Sequence, residues 1–180
     1  MLKAVLIDHH DSFTYNIKAW LKSRFAVSVV DCSEVSQIKP EDYDLVIISP
    51  GPKTPGDYPQ SKTFLKNLPS NKPVLGICLG MQMMNEIENG QVQAYYPPVH
   101  GKTSALTSEN INYNHVQVAR YHSLKCDMAD QFEVLAMSEN IPMIVRHKNK
   151  KWLGLQFHPE SFLTEKPETF LQAAVDLCSR

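Results

Sequence analysis

Apolar residues fall in short runs that alternate with stretches of helical spacing. Lys3 to Asp8 sets Ala-Val-Leu-Ile between charged ends and predicts a buried strand. Asp11 and Ser12 then offer N-cap oxygens, and Phe13, Ile17, Trp20 and Leu21 recur at helical spacing, which predicts a helix running to Arg24. Val27 to Asp31 and Leu45 to Ser49 read as two further strands. Pro50 to Pro59 holds four prolines and two glycines and predicts an irregular loop. A helix over Ser61 to Leu68, a strand over Val74 to Cys78 and a helix over Leu79 to Glu88 follow, the last closed by Asn89-Gly90 as a C-cap. From Gln91 to Val145 the pattern changes to short alternating pieces rich in Thr and Val, suited to antiparallel strands. Trp152 to Phe157 reads as a late strand, and Pro167 opens a final helix whose apolar stripe is Phe170, Leu171, Ala174, Val175 and Cys178.

Strands separated by helices in the first half predict a parallel α/β sheet with right-handed crossovers. Ligands of such sheets sit beyond the carboxyl ends of the strands, which directs attention to Pro50–Pro55, Cys78 and His158. The length of 180 residues fits a single domain spanning 1–180. Eighteen Lys and Arg against nineteen Asp and Glu leave no basic excess, so no nucleic-acid partner is expected. No apolar run is long enough to span a bilayer as a helix, and the polar string Asp8-His9-His10-Asp11 is foreign to an export signal. The four cysteines are scattered without CxxC or metal-ligand spacing, which predicts reduced thiols, a cytoplasmic location and no bound metal.

Candidate chemistry concentrates in two segments. Gly76-Ile77-Cys78-Leu79-Gly80 has the form G-x-C-x-G between a strand and a helix, the thiol counterpart of a nucleophile elbow. A sharp turn there strains the central residue, and glycines two places away on each side let the backbone pass. The sulfur then sits at a helix N-terminus, where the dipole and free N–H groups favour thiolate, and the Leu79 N–H can face an oxyanion. Cys32, Cys126 and Cys178 lack such surroundings and read as structural. A thiolate nucleophile needs a base with an orienting acceptor. Gln156-Phe157-His158-Pro159-Glu160-Ser161 supplies both: Pro159 biases His158 toward extended chain, where His158 and Glu160 project to one side. The result is a Cys-His-acid arrangement. His9, His10, His100, His115, His122 and His147 have no such setting and read as surface or core residues.

Gly76 to Gln82 and Gln156 to Ser161 resemble the two signatures of class I (triad) glutamine amidotransferases. Asp8 to Asn16, Ser49-Pro50-Gly51-Pro52, His100-Gly101-Lys102-Thr103 and Arg120-Tyr121-His122-Ser123-Leu124 are similar to its chorismate-using branch, component two of anthranilate synthase and of aminodeoxychorismate synthase. The resemblance implies a flavodoxin-like, mostly parallel sheet flanked by helices, with a small antiparallel sheet from the second half. It implies that Cys78 attacks the glutamine side-chain amide, that His158 moves protons and that Glu160 orients His158. By the same resemblance the backbone N–H groups of Leu79 and the Gly51-Pro52-Lys53 loop make the oxyanion hole. Gly51, Pro52, Gln82, Ser123 and Leu124 hold the substrate glutamine.

No GxxxxGK[ST] loop appears, so no nucleotide cofactor is expected. Nor is there a second site for an ammonia acceptor, and the resemblance names the partner as a chorismate-binding component one, of either the tryptophan or the folate pathway. His100-Gly101-Lys102 and His9-His10 are the candidates for the docking face. Two positions depart from the family pattern. Lys53 stands where a small residue is usual, which predicts a loop held inactive until partner or substrate binds; His9-His10 stands where Asn-Tyr is usual. Competing readings are a free-standing γ-glutamyl hydrolase or cysteine peptidase, and a catalytically silent domain that regulates a synthase. Gln82 and the element Arg120 to Leu124, suited to a small free amino acid, oppose the first; the intact Cys78, His158 and Glu160 oppose the second.

Overall fold

Thirteen main elements follow in chain order: β1 (Leu2–Asp8), α1 (Thr14–Leu21), β2 (Phe25–Asp31), β3 (Leu45–Ile48), α2 (Pro59–Asn67), β4 (Val74–Ile77), α3 (Leu79–Ile87), β5 (Gln91–Ala105), β6 (Gln117–Asp127), β7 (Phe132–Ser138), β8 (Ile141–His147), β9 (Trp152–Leu155) and α4 (Pro167–Ser179). They come from a computed structural model that describes residues 1–179. Seven strands form one sheet in the order β2-β1-β3-β4-β9-β8-β7, and β5 pairs with β6 in a separate sheet. Strands β2, β1, β3, β4 and β9 are mutually parallel, while β8 and β7 continue the sheet antiparallel.

The unbroken apolar runs are explained by cover on both faces. Ala4 and Leu6, with Leu45 and Ile47, pack with Ile17 and Leu21 of α1 and Phe170 and Leu171 of α4. Val5 and Ile7, with Val46 and Ile48, pack on the other face with Leu65 of α2 and Met81 and Met84 of α3. Successive residues of a strand point to opposite faces, so a strand buried on both must be apolar at every position.

Several boundaries differ from the sequence expectation. Helix α1 starts at Thr14 and ends at Leu21, because Asp11 Oδ1 accepts the Phe13 N–H at 2.8 Å in a local turn and does not cap the helix. Asn89, at φ 68, takes the left-handed position after α3 that a glycine usually fills; Gly90 is needed instead because a Cβ there would lie 2.0 Å from Asn85 Oδ1. Of the antiparallel strands expected from Gln91 onward, only β5 and β6 form the small sheet. Strand β9 stops at Leu155, two residues before the expected end.

Candidate active site

Four parallel strands end at one rim: β1 delivers His9, β3 delivers Ser49 to Gly51, β4 delivers Cys78, and β9 delivers Gln156 and His158. Cys78 holds φ 52 and ψ −104 between β4 and α3, a backbone conformation that L residues rarely adopt. The flanking glycines are required by contact. A Cβ on Gly76 would lie 2.7 Å from the Gly80 carbonyl carbon, and one on Gly80 would lie 2.4 Å from the Ile48 carbonyl oxygen. The turn is therefore wedged between its own helix and β3, and the thiol is held at the start of α3 with only 7% of the residue exposed.

His158 reaches Cys78 from a turn and not from extended chain. The Ser161 N–H donates to the His158 carbonyl at 3.3 Å, and Thr164 Oγ1 donates to the same oxygen at 2.6 Å. His158 Nδ1 pairs with Glu160 Oε1 at 2.7 Å, both side chains being almost wholly buried. Nε2 on the far edge of the ring is buried and has no aligned hydrogen-bond partner. Burial alone would push the imidazole down, but the adjoining Cys78 sulfur and the Glu160 carboxylate outweigh it and raise the pKa to about 10. The rings of Phe13 and Tyr121 stand 5.1 and 5.2 Å from the imidazole centroid and fix its plane. This site thus pairs a strained thiol with a buried, acid-oriented imidazole, the equipment for covalent acyl chemistry.

The sequence profile described as glutamine amidotransferase class-I matches residues 5–177. This chain belongs to that family. Anthranilate synthase component 2 of Lactococcus lactis is 35% identical over 185 residues, covering 96% of this chain and 93% of the relative. The same-named protein of Archaeoglobus fulgidus is 36% identical over 180 residues, covering 97% of each. A multifunctional tryptophan biosynthesis protein of Pichia angusta is 37% identical over 93% of this chain, which spans about half (49%) of that longer relative. Among solved structures, a glutamine amidotransferase from Thermotoga maritima superposes with TM-score 0.70 at 18% identity over 99% of this chain and 94% of that one, a likeness of fold.

In this glutamine amidotransferase Gly51 and Gln82, of the remaining expected site residues, are tied to the nucleophile turn by contacts. Gly51 lies against the nucleophile turn: a Cβ there would stand 2.7 Å from both His9 Cβ and Leu79 Cδ2. Tyr58, which no local pattern marks as a site residue, pins the loop by donating its hydroxyl to the Pro52 carbonyl at 2.9 Å. Pro52 and Lys53 are exposed, and Lys53 holds φ 66, so the left-handed geometry is one this lysine adopts. Gln82 is buried and donates Nε2–H to Gln156 Oε1 at 3.2 Å, and Gln156 in turn directs Nε2 at Cys78 Sγ, 3.6 Å away. Gln156 is thus a sulfur contact that no charge or spacing singled out, although it stands in the His-Pro-Glu segment.

Ser123 is exposed and Leu124 half-buried on β6. Their strand is held by a chain of fixed polarity. Arg120 Nε donates to His122 Nε2 at 3.0 Å, so the His122 proton sits on Nδ1 and donates to the Leu124 carbonyl at 2.8 Å. Burial lowers the His122 pKa to about 4 and keeps the ring neutral for this role. Arg120 is itself buried and paired with Glu139 at 2.6 Å on the β7–β8 turn. His9 departs from the expectation of a docking residue. It is fully buried, bonded through its ring to the hydroxyls of Ser49 (3.1 Å) and Ser61 (2.9 Å), with its pKa lowered to about 4 by burial. Its neighbour His10 is exposed.

Proposed function

We propose that this chain is the glutaminase subunit of an anthranilate synthase, hydrolysing L-glutamine at Cys78 and delivering ammonia to a chorismate-binding component one. The observation that carries the reading is the Cys78 thiol on its strained backbone turn beside a His158 imidazole whose Nδ1 is held by Glu160. In the reaction the thiolate attacks the amide carbon of glutamine. The oxyanion forms against the Leu79 N–H and the Gly51–Lys53 loop, and the charge is met by backbone donors at the α3 N-terminus. His158 passes a proton to the leaving nitrogen, ammonia departs, and a γ-glutamyl thioester remains. Water, deprotonated by His158, then releases glutamate. Glu160 keeps the imidazole oriented and its positive form stabilised throughout.

The tryptophan branch is favoured over the folate branch by relatives named anthranilate synthase component 2 that are 34–36% identical to this chain over most of their own length. A partner is required by chemistry as well, since ammonia released into neutral water is mostly protonated and loses its nucleophilic lone pair. Exposed Tyr15, two residues after Phe13, and exposed Phe162, four after His158, together with exposed His100, Gly101 and Lys102 on β5, supply the docking rim. No helix is long and apolar enough to cross a membrane among the described residues.

The test is glutamate release and anthranilate formation, each measured with and without component one. The expected result is glutamine-dependent anthranilate formation with the partner, and a Cys78→Ser variant that still binds the partner but loses at least a thousandfold in glutamate release while ammonia-driven synthesis persists. Hydrolysis that is unaffected by Cys78→Ser, or aminodeoxychorismate as the sole product, would overturn the reading.

A further inference from the structure

A second group of ligand-bearing side chains lies at the carboxyl ends of β1 and β2. It is set off from Cys78, at the end of β4, by two strand spacings from β1 and three from β2, about 10–14 Å across the sheet. Asp8 and Asp31 are register partners at the last positions of the two strands. Beyond Asp8 the chain turns through His10 at φ 61, and beyond Asp31 a 3-10 turn begins at Cys32. These turns bring His10 Nε2 to 2.6 Å from Asp31 Oδ2. A ring nitrogen of His10, a carboxylate oxygen of Asp31 and the Cys32 sulfur all lie within 4.8 Å of one another, which no other group of three His, Cys, Asp or Glu side chains does among the described residues.

The donor set is nitrogen, oxygen and sulfur, and the residues that give the nitrogen and the oxygen are each anchored. Asp31 Oδ1 is engaged by the Ser33 N–H at 2.8 Å and the Ser33 hydroxyl at 2.6 Å, leaving Oδ2 facing His10. The His10 N–H is anchored on Asp8 Oδ1 at 2.8 Å, and Thr14 Oγ1 donates to the same oxygen at 2.7 Å. In a tetrahedral zinc site, bonds of about 2.0 Å to nitrogen and oxygen and about 2.3 Å to sulfur set ligand atoms roughly 3.3–3.6 Å apart. A cation entering here therefore needs the His10–Asp31 pair to open by less than about 1 Å and the Cys32 sulfur to close by up to about 1.3 Å, with the cation replacing the shared proton. The competing account is a plain exposed His10–Asp31 ion pair, screened by solvent, which gives Cys32 no part. Cys32 is what separates the two. Its sulfur lies within 4.8 Å of both the His10 nitrogen and the Asp31 oxygen, a position that an ion pair has no use for and a cation does.

We propose that His10, Asp31 and Cys32 form a three-ligand site for a thiophilic divalent cation of the zinc type, with a water as fourth ligand. The choice of metal class follows from the donors: an imidazole and a thiolate select zinc or cobalt over magnesium or calcium, which take oxygen. The site is independent of glutamine chemistry, and it gives the His9-His10 departure from the family pattern a physical consequence.

Cobalt(II) reports thiolate coordination through near-ultraviolet charge-transfer absorption, so the metal-stripped full chain is titrated with cobalt and then competed with zinc. One equivalent is expected to bind with a thiolate band in the unaltered chain and in Cys78→Ser. The band is lost in Cys32→Ser and in Cys32→Ala, and affinity falls at least tenfold in His10→Ala. Zinc is expected to protect residues 9–10 and 31–33 from amide exchange. A band that survives loss of Cys32, one that disappears with Cys78, protection centred on residues 78 and 158, or no band at saturating cobalt each overturns the proposal.

Discussion

At Lys53 a single side chain sets a backbone cost at the mouth of the site. Its φ of 66 is a geometry that glycine reaches freely and that costs a lysine roughly 1–2 kcal/mol. Lys53→Gly is expected to raise partner-free glutamate release severalfold, up to about tenfold for each 1.4 kcal/mol relieved. Steady-state glutaminase assays without component one check this, and an unchanged rate in a variant that binds glutamine counts against a loop held inactive by its lysine. Lys53 also shows where residue identity is informative: a bulky residue in a loop of Pro and Gly marks strain in the sequence itself. His9 is the reverse case. Its burial between Ser49 and Ser61 depends on residues 40 and 52 positions away, and no local pattern encodes that.

At the scale of elements, the nucleophile turn and β6 make separate demands. Gly80→Ala gains up to about 1 kcal/mol of helix propensity but places a methyl 2.4 Å from the Ile48 carbonyl oxygen. The clash is with backbone in a central strand, which cannot yield, so overpacking of about 1–3 kcal/mol wins. A lower urea midpoint together with loss of glutaminase activity is the expected result; a stabilised, active variant would mean that β3 moves. On β6, His122 holds the Leu124 carbonyl that adjoins the expected glutamine pocket. Losing that hydrogen bond costs about 0.5–1.5 kcal/mol. His122→Ala is therefore expected to raise KM for glutamine about two- to tenfold with little change in kcat, and His122→Asn, which keeps a donor near Nδ1, to restore it. A fall in kcat at constant KM would refute this positioning role. The strand-to-helix turn was legible from sequence because its glycines and cysteine are local. The His158–Glu160 pairing was legible in its partners but not in its backbone, since the turn is closed by Ser161 and Thr164 and anchored to Ala119 on β6.

For the whole molecule, the buried histidines set the response to acid. His9 and His122 titrate near pH 4 in the folded chain, against about 6.5 when unfolded, so the unfolded state binds more protons between these values. Stability is full above pH 6.5 and falls as pH drops toward 4, by about 2.7 kcal/mol per pH unit where both sites contribute. His158 acts with the opposite sign. Its raised pKa adds stability that is complete below 6.5 and lost as pH climbs toward 10. A stability maximum between about pH 6 and 7 follows, measurable as the urea midpoint from pH 4.5 to 9. Replacing His9 and His122 together by neutral residues should flatten the acid limb, provided the double variant folds; an unchanged acid limb would show that these rings do not titrate as described.

The alternation of strands and helices, the two-sided burial of the parallel strands, and the two segments that carry the thiol and the imidazole are all written in the order of residues along the chain. Each is a local matter, set by apolar periodicity or by glycine, proline and charge at short spacing. Long-range packing is what brings β7 and β8 into the main sheet, turns Gln156 to the sulfur, buries His9 while His10 meets Asp31, and lets Arg120 set the proton on His122. Those outcomes rest on contacts between residues far apart in the chain, where hydrogen-bond partners and burial arise only once the strands have found their order.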